Sequence, residues 1–209
     1  MSLRNAGVSA AILAGGFSVR MGRDKANLPF GSVTMLEHQA QKLRMLGIGE
    51  IMISGSGIKL AGTRSVPDIY PHRGPLSGIH ACLEAASHDS VLFISVDTPL
   101  LPVETLQRLL DAHRGGVTLL RHGEETEPLI GVYDKSLAAL CAGLLQTEKT
   151  SVRQLIRQAP LTTLAFTGDP MLLINCNTPA EYEAVRRTAR RAANQEAASA
   201  APAPAIDSI

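Results

Sequence analysis

The stretch Leu13-Ala-Gly-Gly-Phe-Ser-Val-Arg-Met-Gly-Arg-Asp-Lys25 gathers residue types that bind anions. Gly15, Gly16 and Gly22 let the backbone approach a phosphate closely and offer N–H donors to an anion nest. Arg20 and Lys25 add two cations to the same short loop, which suits a polyphosphate. Two familiar phosphate motifs do not fit. Gly15-Gly16 lacks the G-x-G-x-x-G spacing of dinucleotide-binding turns. A P-loop needs four residues between its glycines and then Gly-Lys-Ser/Thr. Here Gly16 and Gly22 have five between them, and Arg23-Asp24 precedes Lys25.

Phe93-Ile-Ser-Val-Asp97-Thr-Pro99 puts a carboxylate at the end of the most apolar run in the chain. Alone, such an Asp reads as a turn or helix-cap residue. Beside a triphosphate loop it is what Mg²⁺ needs, because that ion keeps several waters and bridges few protein carboxylates to phosphates. Asp97 is therefore the metal candidate; a second metal ligand is not apparent. Further along, Asn175-Cys-Asn177-Thr-Pro179 spaces two amides so that, on a strand, both would face the same way. Asn177 also stands where it can help cap the helix that follows.

These residues need a scaffold. Apolar runs of strand length alternate with segments of helical period, the signature of a parallel α/β sheet. Ser9 to Leu13, Glu50 to Ser54 and Ser90 to Val96 read as strands, the last of them central. The anion loop follows the first strand, at the carboxyl edge where open α/β sheets bind ligands. Thr34-Met-Leu-Glu37 is a capping box opening a helix that ends at Gly47. Leu76 to Ala86 has helical spacing, and Pro102 opens a helix to about His113, stopped by Gly115-Gly116. Val117 to Leu120 and Glu127 to Tyr133 read as a hairpin or antiparallel pair around His122-Gly123. A helix is expected from about Ser136 to Leu145, and Ser151-Val-Arg-Gln154 should cap a shorter one. Met171 to Asn175 reads as another strand. Thr178 is the expected N-cap of the last helix, with Pro179 at its first position and Glu181 closing the box.

Composition narrows the class. The 209 residues suit one domain, and 45% hydrophobic against 19% charged types argues for a packed core. Residues 1–192 are expected to form it, and the Ala/Pro-rich segment 193–209 to be disordered. Twenty Lys plus Arg against 19 Asp plus Glu leave a net charge of +1, which argues against bulk nucleic-acid binding. Three cysteines without a C-x-x-C pair make no disulfide framework or zinc site, favouring a reducing compartment. Cys82 and Cys141 sit at helical-core positions, and Cys176 should face away from its Asn neighbours. The six His show no metal spacing. No apolar stretch is long enough for a membrane span. The run Val8 to Ala14 is too short for a signal peptide, so a cytoplasmic protein is expected.

Leu-Ala-Gly-Gly-x-Ser-x-Arg-Met-Gly-x-Asp-Lys resembles the signature of the molybdenum cofactor guanylyltransferases, within the wider nucleotidyltransferase superfamily. The resemblance implies a Rossmann-like three-layer α/β/α fold with a mostly parallel sheet, its N-terminal half binding GTP and its C-terminal half molybdopterin. Carried over, Leu13, Ala14, Gly15 and Gly16 wrap the nucleotide, while Arg20 and Lys25 meet the phosphates. Related cytidylyltransferases on the same pterin show Leu-Ala-Ala-Gly, so Gly15 leans the base towards guanine. Pro67-Asp68 and Arg73-Gly-Pro-Leu-Ser-Gly78 resemble the family's nucleoside-binding segments, making Asp68 a base or ribose partner and Gly78 a point of close backbone approach. Ser54 falls where the family often has an Asn; its hydroxyl reaches less far and offers no amide pair. Asp97 matches the metal-binding Asp, and Asn175 and Asn177 match the segment near the pterin. Lys149 and Arg153 are candidates for the pterin's phosphate, or are simply solvated charges.

The implied reaction is nucleotidyl transfer. The phosphate of molybdopterin attacks the α-phosphorus of GTP and pyrophosphate leaves, with Lys25, Arg20 and Mg²⁺ on Asp97 offsetting charge. The implied partners are GTP, molybdopterin and molybdoenzyme-specific chaperones, for a mostly monomeric enzyme. A cytidylyltransferase on the same pterin and a sugar-phosphate nucleotidyltransferase are the nearest alternatives. A non-catalytic cofactor-delivery partner would keep nucleotide binding without needing Lys25 and Asp97. A dinucleotide-dependent oxidoreductase lacks its glycine fingerprint.

Overall fold

A computed structural model of the chain describes residues 5–14, 25–147 and 150–200. Nine strands and six α-helices account for most of them, in chain order β1 (Ser9–Leu13), β2 (Pro29–Phe30), β3 (Val33–Thr34), α1 (Met35–Met45), β4 (Glu50–Ser54), β5 (Arg64–Val66), α2 (Pro75–Ala85), β6 (Ser90–Ser95), α3 (Val103–Ala112), β7 (Val117–His122), β8 (Glu125–Asp134), α4 (Ala138–Leu145), α5 (Val152–Ile156), β9 (Leu161–Ala165) and α6 (Pro179–Ala200). Seven strands form one sheet in the order β5-β4-β1-β6-β8-β7-β9, and β2 pairs with β3 apart from it. Every neighbouring pair in the large sheet is parallel except those involving β8, which runs antiparallel to β6 and β7. The fold is the three-layer α/β/α arrangement with a mostly parallel sheet.

The core explains the layers. Alternate residues of β1 point to opposite faces, and both faces are covered: Ala10 and Ile12 join one apolar cluster, Ala11 and Leu13 the other. The first cluster is completed by Met35, Leu36, Ala40 and Leu43 of α1, Leu106 and Leu109 of α3, and Tyr182 and Val185 of α6. Leu76, Ile79 and Leu83 of α2, Leu144 of α4 and Leu155 of α5 complete the second. Phe93 and Tyr133 meet edge-on across β6 and β8 with ring centroids 5.4 Å apart, a favoured aromatic geometry.

Local signals explain the helix starts. Thr34 and Glu37 form the expected capping box of α1, and Thr178 and Glu181 exchange the same reciprocal bonds at α6. At α5, Ser151 stands at the N-cap but its hydroxyl makes no cap bond; the turn closes through the backbone, Gln154 N–H to Ser151 C=O at 2.9 Å.

Two expectations change. The apolar run Met171 to Asn175 is not a strand, because Pro170–Leu173 forms a 3₁₀ turn. Asp169 accepts from the Met171 N–H and Pro170 takes the first helical position, so local capping decides a run whose period is ambiguous. The strand of this region is instead β9, a half-exposed edge strand parallel to β7. The last helix also runs past residue 192, and the backbone of 193–200, expected to belong to the tail, continues it. Residues 201–209 lie outside the described residues.

Candidate active site

Register brings the site together. Leu13 pairs with both Ser54 and Ser95, so β1, β4 and β6 end level at one carboxyl edge of the sheet. The Val96 N–H continues the ladder by donating to the Leu13 carbonyl at 3.2 Å. The segments leaving β1 and β6 therefore start side by side. This is where an open α/β sheet binds ligands.

Lys25, the last residue of the anion loop, opens a short 3₁₀ turn, Lys25–Asn27. Its Nζ donates to Asp97 Oδ2 at 3.1 Å and to Asn177 Oδ1 at 2.7 Å. Both side chains of the ion pair are largely enclosed, 15% exposed for Lys25 and 18% for Asp97. The other carboxylate oxygen, Oδ1, accepts from Ser95 Oγ at 2.5 Å. Ser95 closes β6, and Asp97 stands two residues on, in the turn that follows. The Asp97 carbonyl accepts from the Cys176 N–H at 2.8 Å, which binds the segment before α6 to the end of β6. One ammonium thus joins three stretches that are far apart in sequence.

The amides reach the site differently from expectation. Without a strand at Met171 to Asn175, the same-face argument for Asn175 and Asn177 does not apply. Asn177 turns its side-chain oxygen to Lys25, while its backbone N–H donates to Glu181 Oε2 at 2.9 Å, fixed by the start of α6. Asn175 is half-buried two residues away, and its carbonyl accepts from Asn177 N–H at 3.0 Å. Cys176 between them is fully buried, and its thiol is pushed up to about 12, first by burial and then by the Asp97 charge.

The nucleoside-side residues lie at the neighbouring strand end. Ser54 closes β4 at 3% exposure beneath Gly78 of α2. A Cβ at Gly78 would lie 2.3 Å from Ser54 Oγ and 3.2 Å from Ser54 Cβ. The close approach that Gly78 permits is therefore helix on strand. Asp68 is exposed at residue level, yet partial burial of its carboxyl raises its pKa against the lowering influence of Ser77 and His72. Arg153 is exposed on α5, on the second apolar cluster's side of the sheet. Among the described residues no hydrogen bond or ion pair ties it to Lys25, Asp97 or Asn177. Gly15, Gly16, Arg20 and Lys149 lie outside the described residues.

Two neighbours of Asp97 escape a sequence reading. Ser95 stands two residues before Asp97 but belongs to no motif that marks it. Glu127 lies on β8, the antiparallel neighbour of β6, a pairing that no local signal around Asp97 announces. The Glu127 carboxyl is raised by burial first, then by Glu125, with Asp97 adding to the rise and His122 opposing it.

A mostly parallel sheet that carries a lysine–aspartate pair at the carboxyl edge of its central strands is suited to binding a nucleotide, and comparison with known proteins places the chain among the nucleotidyltransferases. Residues 10–165 match the model of the MobA-like NTP transferase domain, and the chain belongs to that family. It is 33% identical over 184 residues to a probable molybdenum cofactor guanylyltransferase of Carboxydothermus hydrogenoformans, covering 84% of this chain and 93% of the relative. A molybdenum cofactor guanylyltransferase of Rhizobium johnstonii is 31% identical over 192 residues, covering 85% and 91%. The crystal structure of molybdopterin-guanine dinucleotide biosynthesis protein A from Archaeoglobus fulgidus superposes with a TM-score of 0.71 at 17% identity, over 88% of this chain and 99% of that one. At that identity the likeness concerns the fold.

Proposed function

We propose that this nucleotidyltransferase transfers GMP from GTP to the phosphate of molybdopterin, forming molybdopterin guanine dinucleotide and pyrophosphate. The observation that carries the reading is the meeting of Lys25, Asp97 and Asn177 at one strand edge, in a chain similar over most of its length to proteins of that name.

The bond that forms joins a pterin-phosphate oxygen to the α-phosphorus of GTP, and the bond that breaks is the one between the α- and β-phosphates. The attacking oxygen is anionic at neutral pH, so no general base is required. What the protein supplies is position and positive charge. Lys25 has three N–H donors, two of them now spent on Asp97 and Asn177; with nucleotide bound, its ammonium is placed to meet the phosphates. Arg20 and the Gly15-Gly16 backbone are proposed as the rest of the phosphate cradle. Ala14, Leu13, Asp68 and the Ser54–Gly78 packing border the nucleoside. Asn175, Asn177, Lys149 and Arg153 are assigned to the pterin.

The site also fits a divalent cation. Asp97 Oδ2 and Asn177 Oδ1 converge on a single cationic group, the Lys25 ammonium, and both are hard oxygen donors. Among the described residues no three His, Cys, Asp or Glu side chains cluster as a metal cage. That suits Mg²⁺, which is typically held by one or two carboxylates, phosphates and water. Asp97 would hold the ion, whose chemistry there is to neutralise phosphate charge. Among the described residues no helix is long and apolar enough to cross a membrane, and three free, buried thiols suit a cytoplasmic setting.

The test is incubation of the full chain with Mg²⁺, molybdopterin and each of GTP, CTP and ATP, reading pyrophosphate and the dinucleotide mass. Turnover with GTP alone is expected. Turnover only with CTP, or only when a sugar phosphate replaces the pterin, would overturn the assignment.

A further inference from the structure

Helix α1 carries two polar side chains on a face that is otherwise apolar. Gln39 is 2% exposed and Lys42 is 6% exposed, among Met35, Leu36, Ala40 and Leu43. An amide and an amine buried this way cost free energy unless every donor finds a partner. Their partners all lie in one short stretch, Ser95 to Leu101, the loop that carries Asp97. Gln39 Nε2 donates to the Ser95 carbonyl at 2.6 Å and to the Thr98 carbonyl at 3.2 Å. Lys42 Nζ donates to the carbonyls of Pro99 and Leu101, the latter at 2.8 Å. His38, from the same helix, places Nε2 at 3.0 Å from the Pro99 carbonyl.

Gln39 therefore straddles Asp97, holding the peptide two residues before it and the one after. Lys42 holds the next stretch of the loop from the same side. Backbone bonds add to the fixation, among them Val96 N–H to the Leu13 carbonyl and Cys176 N–H to the Asp97 carbonyl. An apolar side chain at either α1 position would leave the carbonyls that Gln39 or Lys42 holds short of a donor. What the polar pair adds is a fixed direction for four carbonyls, and with them for the Asp97 side chain.

We propose that Gln39 and Lys42 are positioning residues for the reaction, holding the loop from behind so that the Asp97 carboxylate faces nucleotide and divalent cation in one orientation. The inference rests on the nucleotidyl-transfer reading with Asp97 as cation ligand. Residues that support a metal ligand in this way typically alter metal affinity 10–100-fold when replaced.

The test uses full-length protein and Mn²⁺ as the probe, with free Mn²⁺ followed by electron paramagnetic resonance in the presence of GTP. Gln39→Leu and Lys42→Met are each expected to weaken Mn²⁺ binding to the GTP complex about 10-fold, with GTP binding in EDTA unchanged. Leu155→Ala, in the second apolar cluster, serves as the control: it lowers Tm but leaves Mn²⁺ affinity at the wild-type value. If Lys42→Met does not fold, Gln39→Leu alone decides. Folded variants that bind Mn²⁺ like wild type, or lose no more than Leu155→Ala, overturn the positioning role while the proposed reaction stands. Wild type that binds neither GTP nor GTP-dependent Mn²⁺ overturns both.

Discussion

Lys25 divides its ammonium between Asp97 and Asn177, so replacing either charged partner leaves an enclosed charge without its counter-ion. Asp97→Asn keeps the shape and removes the charge. Steady-state kinetics should show kcat/KM lower by about 10²–10³, the scale of one lost electrostatic contact in a preorganised site. Lys25→Met should fall by a similar factor, and the double variant by little more, because residues that act as a unit are not additive. Gly78 makes a different prediction at the same scale. The added methyl of Gly78→Ala meets Ser54 Oγ at 2.3 Å, and overpacking of this kind costs about 1–3 kcal/mol. Denaturant titration should show that loss, and Ser54→Gly in the same chain should recover most of it. No recovery would mean that the strain lies elsewhere.

At the scale of elements, Glu50 ties the N-terminal ends of the central strands to their neighbours. Burial alone would raise its pKa. The Ser9 hydroxyl, the Ser87 N–H and hydroxyl and Arg64 outweigh that and hold it at about 2. A folded-state value below the ordinary 4.5 means that the stabilisation is present above pH 4.5 and lost as pH falls towards 2. Glu50→Gln should lose about 2 kcal/mol at neutral pH and flatten the acid limb of an unfolding titration over that window. The elements divide by how locally they are specified. β1, β4 and both capping boxes were legible because an apolar run or a four-residue exchange suffices. β9 was not, since its alternate exposure comes from lying at the sheet edge beside β7. The turn at Pro170–Leu173 was mistaken for a strand because a short apolar run has no period of its own. In the site, Lys25 and Asp97 stood out by residue type, and they meet. The support from Gln39 and Lys42 and the nearness of Glu127 were not, because they depend on strand pairing and helix placement.

For the whole molecule, ligand binding and stability are linked. A nucleotide that binds only the folded chain raises its stability by about 2.7 kcal/mol at a hundred times its dissociation constant. A thermal-shift comparison with Mg²⁺ should show that rise for GTP and little for CTP or ATP at equal concentration. An equal rise with all three would remove the base preference.

The contact between Lys25 and Asn177 spans 152 positions, and Tyr182 of α6 donates to the Pro29 carbonyl near the other end of the chain. A polypeptide released after β9 would own every strand of the large sheet and still lack Asn177, the second partner of Lys25. The Lys25–Asp97–Asn177 meeting therefore closes only once the segment before α6 is in place.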